Sequence, residues 1–337
     1  TLLFLIFEGY GWLDNFISLY YDIPFLKSSI FFLLLFILSD FISIPFSCYN
    51  TFVIEEKYGF NKTTVKTFVL DKIKGYLLTL IVGGILLFGA IYIVSLLENS
   101  FWFWLWLSLS FIMLLVNMFY ADLIIPIFNK LTPLEAGSLR EKIETYTKKV
   151  GYSLKNIYVI DGSKRSTKAN AFFSGLGPRK TIALYDTLVE KHTEEELVAV
   201  LAHEVGHYKK KHVFTSLFLT IFQLGLMCFL LETCLKVGEI SQALGSKEMV
   251  FHLGLVAFGI LYSPIGTILS ILMNISSRRN EFEADHYAKT TYNGVALELA
   301  LKKLSADSLS NLYPHPLYTF IHYSHPPLLK RLSALSE

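Results

Sequence analysis

Charge is scarce in this 337-residue chain. Only 17% of its residues are Asp, Glu, Lys or Arg, where a soluble domain of this length carries about a quarter. The net charge of +2 gives no case for nucleic acid as a partner. Cysteine is scarce too. Cys48, Cys228 and Cys234 lie in apolar runs and form no Cys-x-x-Cys pair, so neither a disulfide framework nor a cysteine metal site is supported. No basic segment precedes an apolar core at the start of the chain, and a secretory signal peptide is not expected. There is no internal repeat and no low-complexity tract.

Apolar residues take the place of charge. They make up 53% of the chain, the mean hydropathy is +0.47, and they cluster in runs that meet the roughly 20 residues a bilayer-crossing helix needs. Residues 29–48, 75–97, 102–125 and 213–237 read as spans. A fifth run, 250–275, contains Pro264 and several glycines, which spanning helices tolerate when neighbours satisfy the freed backbone groups. Residues 2–20 are ambiguous, because Glu8, Gly9, Gly11 and Asp14 break the run. Asp40, Asn117, Asp122, Gln223, Glu232 and His252 are costly in lipid. They face either a wet interior or hydrogen-bond partners on other helices.

Three long polar segments, 50–74, 128–212 and 276–337, hold 27 of the 30 Lys and Arg residues, the exceptions being Lys27, Lys236 and Lys247. Five spans from residue 29 onward put all three segments on one side, and the positive-inside rule makes that side cytoplasmic. The expected organisation is an N-terminal transmembrane region, 1–127, with a cytoplasmic loop at 50–74. A cytoplasmic catalytic segment, 128–212, follows, then two transmembrane helices in 213–275 and a C-terminal cytoplasmic segment, 276–337. The fold class is a mainly α-helical, multi-span membrane protein with a small β-sheet in its cytoplasmic part. Residues 139–150 form an amphipathic helix pattern ending at Gly151. Residues 157–160 read as a strand, and 170–173 and 181–185 as a hairpin around Gly175, Gly177 and Pro178. Thr193-Glu194-Glu195-Glu196 is a capping box that opens a helix.

That helix carries His203-Glu204-Val205-Gly206-His207. Histidines at i and i+4 share a helix face and can each give one nitrogen to a single zinc ion. Glu204 can then act as general base, taking a proton from water that the metal activates. An ordinary helix with surface histidines is the plainer alternative. A catalytic zinc needs a third protein ligand. The variant with a third histidine six residues on is excluded, because Val213 stands there. Glu281-Phe282-Glu283-Ala284-Asp285 offers Glu281 as ligand. Asp285, again at i+4, would accept a proton from the far nitrogen of a ligand histidine. Glu283 is expected to be solvated or paired with Arg278 or Arg279. His212, five residues past His207, reads as a bystander off the zinc face near the membrane surface. Lys209, Lys210 and Lys211 read as a solvated or headgroup-facing run. Asn61-Lys62-Thr63 matches a glycosylation sequon but falls on the expected cytoplasmic side.

Taken together, these stretches resemble the integral-membrane CAAX prenyl zinc endopeptidases. The likeness runs through Val53-Ile54-Glu55-Glu56-Lys57-Tyr58-Gly59-Phe60-Asn61, Pro126-Ile127-Phe128-Asn129-Lys130 and Asn170-Ala171-Phe172-Phe173-Ser174-Gly175. It continues in the histidine motif, Arg278-Arg279-Asn280-Glu281-Phe282-Glu283-Ala284-Asp285, and His325-Pro326-Pro327 followed by Arg331. The resemblance implies a ring of spanning helices around a water-filled chamber with zinc at its cytoplasmic end. It implies a peptide substrate laid as an added strand beside Asn170, Ala171, Phe172 and Phe173. It also implies that His325 and Arg331 contact substrate or the developing oxyanion. The implied ring has more spans than the five or six counted here, and a span upstream of Thr1 in a longer chain is the expected reason.

The expected activity is that of a zinc-dependent membrane endopeptidase with one Zn2+ per chain. It would act at the cytoplasmic face of the cytoplasmic membrane or endoplasmic reticulum, on the C-terminus of prenylated proteins. A quality-control membrane metalloprotease, or a transporter or scaffold with a degenerate zinc site, are the alternatives.

Overall fold

The computed structural model describes residues 1–97, 99–152, 154, 156–174, 181–246 and 249–337. Among them, five helical stretches are long and apolar enough to cross a membrane: Pro24–Glu55, Val65–Leu96, Phe101–Phe128, His212–Leu235 and Phe251–Asp307. At most 11% of each apolar window is buried inside the protein, so lipid is the only solvent that suits this surface. In the last stretch the apolar run ends near Ile275 and the helix continues in polar sequence. Pro264 lies inside the helix Phe251–Ala288 and does not end it. Residues 2–20 hold no helix long enough to cross a membrane by itself. They form two short helices, Leu2–Ile6 and Gly9–Ser18, broken where Glu8 takes a left-handed backbone (φ 50°).

The chain divides into two compact units. The first comprises Thr1–Ile54, Val69–Ile112 and Thr220–Thr267. Its buried and half-buried polar groups answer one another across helices. Asp40 pairs with Lys72 at 2.7 Å and accepts from the Tyr76 hydroxyl. Glu232 accepts from the amides of Ser100 (3.0 Å) and Trp102 (2.8 Å), satisfying orphan donors at a helix start. His252 sits between Asp14 Oδ1 (2.9 Å) and Ser28 Oγ (3.1 Å). For these residues the helix-to-helix reading of the intramembrane polar groups describes what is seen.

The second unit comprises Glu55–Phe68, Met113–Leu219 and Ile268–Glu337. It holds a four-stranded sheet of β1 (Leu131–Pro133), β2 (Asn156–Ile160), β3 (Ala171–Ser174) and β4 (Thr181–Tyr185), in the order β1-β2-β4-β3. β1 and β2 are antiparallel, β2 and β4 parallel, and β3 and β4 antiparallel, with Phe172 opposite Ala183. The predicted pairing of 170–173 with 181–185 is therefore present. Its turn, with Gly175, Gly177 and Pro178, lies outside the described residues. β3 pairs with β4 alone and forms one edge of the sheet. The helix Ser138–Lys149 ends as expected at Gly151, whose φ of 60° is a left-handed conformation that glycine adopts without strain.

The core of this unit is built around the helix Glu194–Lys209. Leu197, Val198, Leu201, Ala202 and Val205 are buried on it, against Ile143 and Tyr146 of the helix Ser138–Lys149, Ile182 and Leu184 of β4, and Leu297 of the helix Gly294–Asp307. The helix that carries the histidines is thus held by apolar packing on several sides.

Candidate active site

The histidine helix starts on the capping box seen in the sequence. The Thr193 hydroxyl accepts from the Glu196 amide (3.3 Å), and the Glu196 carboxylate accepts from the Thr193 amide (3.0 Å). Glu196 is buried and also accepts from Lys303 Nζ at 2.8 Å. Burial pushes its carboxyl upward, but Lys303 and the Thr193 amide outweigh that and hold it below the ordinary carboxylate value.

Two turns on, His203 and His207 share a face, their Nε2 atoms 3.2 Å apart. The polar continuation of Phe251–Ala288 runs alongside and presents Glu281. Its Oε1 is 3.3 Å from His207 Nε2 and its Oε2 is 3.6 Å from His203 Nε2. Gly206 lets the two helices close, because a Cβ there would stand 3.1 Å from Ala284 Cα and 3.1 Å from Tyr287 Cβ.

One donor from each of His203, His207 and Glu281 falls within a 4.8 Å sphere of mutual distance. Zinc–nitrogen bonds of about 2.0–2.1 Å in a tetrahedron place ligand atoms roughly 3.4 Å from one another; the two histidine nitrogens stand 3.2 Å apart, with one Glu281 oxygen 3.3 Å from His207 and the other 3.6 Å from His203. Glu281 Oε2 is buried and accepts no hydrogen bond among the described residues. Arg331 Nη1 lies 3.2 Å from it as a charge contact without hydrogen-bond geometry. A two-histidine, one-carboxylate set with a buried oxygen left unbonded fits zinc.

Around this set stand the residues that hold it. His203 Nδ1 is 2.8 Å from Asp285 Oδ1, the contact expected of Asp285. Asp285 in turn accepts from Arg331 through Nε (2.8 Å) and Nη2 (2.6 Å). Arg331 is buried. Burial works against its charge, but Asp285 and Glu281 outweigh burial and keep it protonated. Its guanidinium is therefore engaged with Asp285 and Glu281, and it stands behind the site. His325 is the open member of the C-terminal pair. Its side chain is 65% exposed, with Nε2 3.3 Å from Glu281 Oε1. For His207, burial works against protonation, but the hydrogen bond with Glu281 and that carboxylate's charge raise its pKa above the ordinary histidine value. Glu204 is half-buried on the same helix, and among the described residues no hydrogen bond or ion pair ties down its carboxylate.

One expectation needs correction. His212 is not a bystander. It is buried, and its Nδ1 lies 3.2 Å from His207 Nδ1. Glu283 pairs with Arg279 at 3.2 Å, as expected, and its other oxygen is 3.2 Å from His212 Nε2. Arg278 turns away to the carbonyls of Thr319 and Tyr323. Of the proposed substrate strand, Ala171, Phe172 and Phe173 lie in β3 and Asn170 just before it. The segment 55–62 turns out to brace the loop leading to that strand. Glu55 pairs with Lys168 at 2.8 Å, Lys62 N donates to Arg165 O and Thr167 N to Phe60 O, and Lys168 Nζ lies 4.4 Å over the Phe60 ring.

Comparison with known proteins covers nearly the whole chain. Residues 1–130 match the family described as "CAAX prenyl protease N-terminal, five membrane helices", and residues 133–337 match Peptidase family M48. The chain belongs to the CAAX prenyl protease 1 family. The rice CAAX prenyl protease 1 homolog is 39% identical over 302 residues, covering 89% of this chain and 71% of the relative. CAAX prenyl protease 1 of Saccharomyces cerevisiae is 36% identical over 316 residues, covering 88% and 69%. The crystal structure of Ste24p from S. mikatae superposes with a TM-score of 0.94 at 34% identity, over 100% of this chain and 83% of that one. The protein is accordingly an integral membrane metallopeptidase, and the site just described lies in its M48 portion.

Proposed function

We propose that this chain is a zinc endopeptidase that removes C-terminal residues from prenylated CAAX-type proteins, working at the cytoplasmic face of its membrane. The observation that carries the reading is the convergence of His203, His207 and Glu281 beside an untied Glu204, in a chain of this family.

His203, His207 and Glu281 hold the metal. When bound, zinc supplies a Lewis acid that polarises a carbonyl and acidifies water. Asp285, kept ionised by Arg331, accepts the Nδ1 proton of His203, so that Nε2 keeps its lone pair. Glu204 takes the proton of the attacking water and delivers it to the leaving amine. His325, exposed beside Glu281, is placed to donate to the developing oxyanion. Arg331 sets the charge behind the site. The peptide is held extended against the free edge of β3, where backbone hydrogen bonds give register. The organelle is taken to be the endoplasmic reticulum, or the cytoplasmic membrane in a cell that lacks one.

The test is metal content together with cleavage of a farnesylated CAAX peptide and of the same peptide without the farnesyl group. We expect about one zinc per chain and cleavage that depends on the lipid. Glu204→Gln keeps shape and zinc but cannot take the proton, and should lose about 10²–10⁴-fold in turnover. Equal cleavage of both peptides would favour a quality-control protease instead. Glu204→Gln turning over within a few fold of wild type would remove the hydrolytic assignment.

A further inference from the structure

The far nitrogen of His203 is served by Asp285. The corresponding nitrogen of His207 is served by a chain of three side chains. His207 Nδ1 is 3.2 Å from His212 Nδ1. His212 Nε2 is 3.2 Å from Glu283 Oε2, and Glu283 Oε1 is 3.2 Å from Arg279 Nε. The chain runs from the half-buried His207, through His212 with 8% of its side chain exposed, to Glu283 at 38% and Arg279 at 82%.

Donor and acceptor chemistry sorts this chain. An ionised carboxylate only accepts, so the proton between Glu283 and His212 sits on His212 Nε2. A neutral imidazole with its proton on Nε2 has a lone pair on Nδ1. That lone pair accepts from His207 Nδ1–H. His207 is then left with its Nε2 lone pair facing His203 Nε2 and Glu281 Oε1, the form a metal ligand needs.

Local backbone makes this contact. A residue five places after His207 on one continuous helix would point away from its ring. Here the helix stops at Lys209, Lys211 adopts a left-handed backbone (φ 63°), and His212 opens the next helix, His212–Leu235. The turn returns His212 to the back of His207. All three acids of 281–285 are then employed. Glu281 faces both histidines directly, Asp285 backs His203, and Glu283 backs His207 through His212.

We propose that His212 and Glu283 are positioning residues that fix the tautomer and ring plane of His207 for the metal. The proposal rests on the reading above that His203, His207 and Glu281 hold zinc. The experiment is zinc affinity of the purified full chain, measured by competition with a chromophoric chelator. His212→Ala should lower affinity about 10–100-fold, the range for lost support behind a ligand histidine. His212→Asn places a side-chain oxygen near the position of Nδ1 and should stay within about 3-fold of wild type. Glu283→Ala changes a partly exposed residue. It should weaken binding in the wild-type background, but no further in the His212→Asn background, where the link to Glu283 no longer matters.

Wild-type affinity in His212→Ala would overturn the proposal. So would a Glu283→Ala loss that is equally large in both backgrounds, which would signify charge alone. If His203→Ala kept full zinc affinity, the parent reading of the metal ligands would fail, and that result is separate from the outcomes at residues 212 and 283.

Discussion

Arg331 shows how one side chain secures a cluster of charges. Its guanidinium meets Asp285 through two nitrogens and stands 3.2 Å from Glu281. Removing it takes from two buried carboxylates, Asp285 and Glu281, the permanent positive charge beside them. Deleting one partner of such a pair costs about 3–5 kcal/mol, so Arg331→Met should lower the thermal midpoint by several degrees and reduce zinc content. Arg331→Lys keeps the charge but cannot bridge Asp285 with two parallel donors, and should fall between the two. An unchanged midpoint in Arg331→Met would mean that the cluster is not electrostatically linked. His325 offers the contrast. Being mostly exposed, it should tolerate alanine with zinc and stability retained while turnover falls, since one lost oxyanion donor is worth roughly 3–4 kcal/mol of barrier. Much at this scale was legible from spacing. The i, i+4 rule places His203 with His207, and the motif pair Glu281 and Asp285 on one face. His212 and Glu283 were not, because their meeting depends on a left-handed turn at Lys211, a residue type that seldom adopts one.

Helix approach and helix capping decide the geometry of the metal set. Gly206 faces Ala284 and Tyr287 with no room for a Cβ. Gly206→Ala gains up to about 1 kcal/mol of helix propensity, but overpacking a close contact costs about 1–3 kcal/mol. The contact should win, with a lower thermal midpoint and weaker zinc retention as the glutamate is pushed from the histidines. A higher midpoint would show that the helices have slack.

The capping box gives a pH-dependent counterpart. The folded-state pKa of Glu196 is depressed by Lys303 and the Thr193 amide. Its contribution is therefore present above the ordinary glutamate value of 4.5 and is lost as pH falls through the depressed folded value. The stability gap between wild type and Lys303→Met should hold steady above about pH 5 and close as the pH is taken below that range. A gap that does not change with pH would assign Lys303 to packing alone. The hairpin of β3 and β4 was legible from β-rich runs flanking glycine and proline. The parallel pairing of β2 with β4 and the short strand β1 were not, since neither leaves a local pattern in three to five residues.

At the scale of the molecule, composition carried the class. Apolar runs predicted five spans and five suitable helices are present among the described residues, because a bilayer imposes length and hydropathy on a helix with few exceptions. The ends of the helices were not legible, since polar residues extend them past the apolar run, as Asn50–Glu55 does. The side on which each segment lies rests on parity and charge. Lys and Arg gather in the segments after the first, third and fifth of these spans, and in the remaining connections they are few.

The positive-inside rule weakens for segments longer than about 60 residues, and 128–212 is such a segment, so the assignment needs a direct measurement. Lys303 and Gln242 are both exposed and are separated by the apolar part of Phe251–Ala288. With Cys48, Cys228 and Cys234 replaced by serine or alanine, a cysteine at Lys303 should react with an impermeant maleimide added from the cytoplasmic face. One at Gln242 should react only from the opposite face. If both reacted from one side, residues 251–275 would not cross the bilayer. If both reacted, each from the wrong side, the span count would stand and the orientation would be reversed. The metal set would then open away from the cytoplasm, where a CAAX substrate would not reach it.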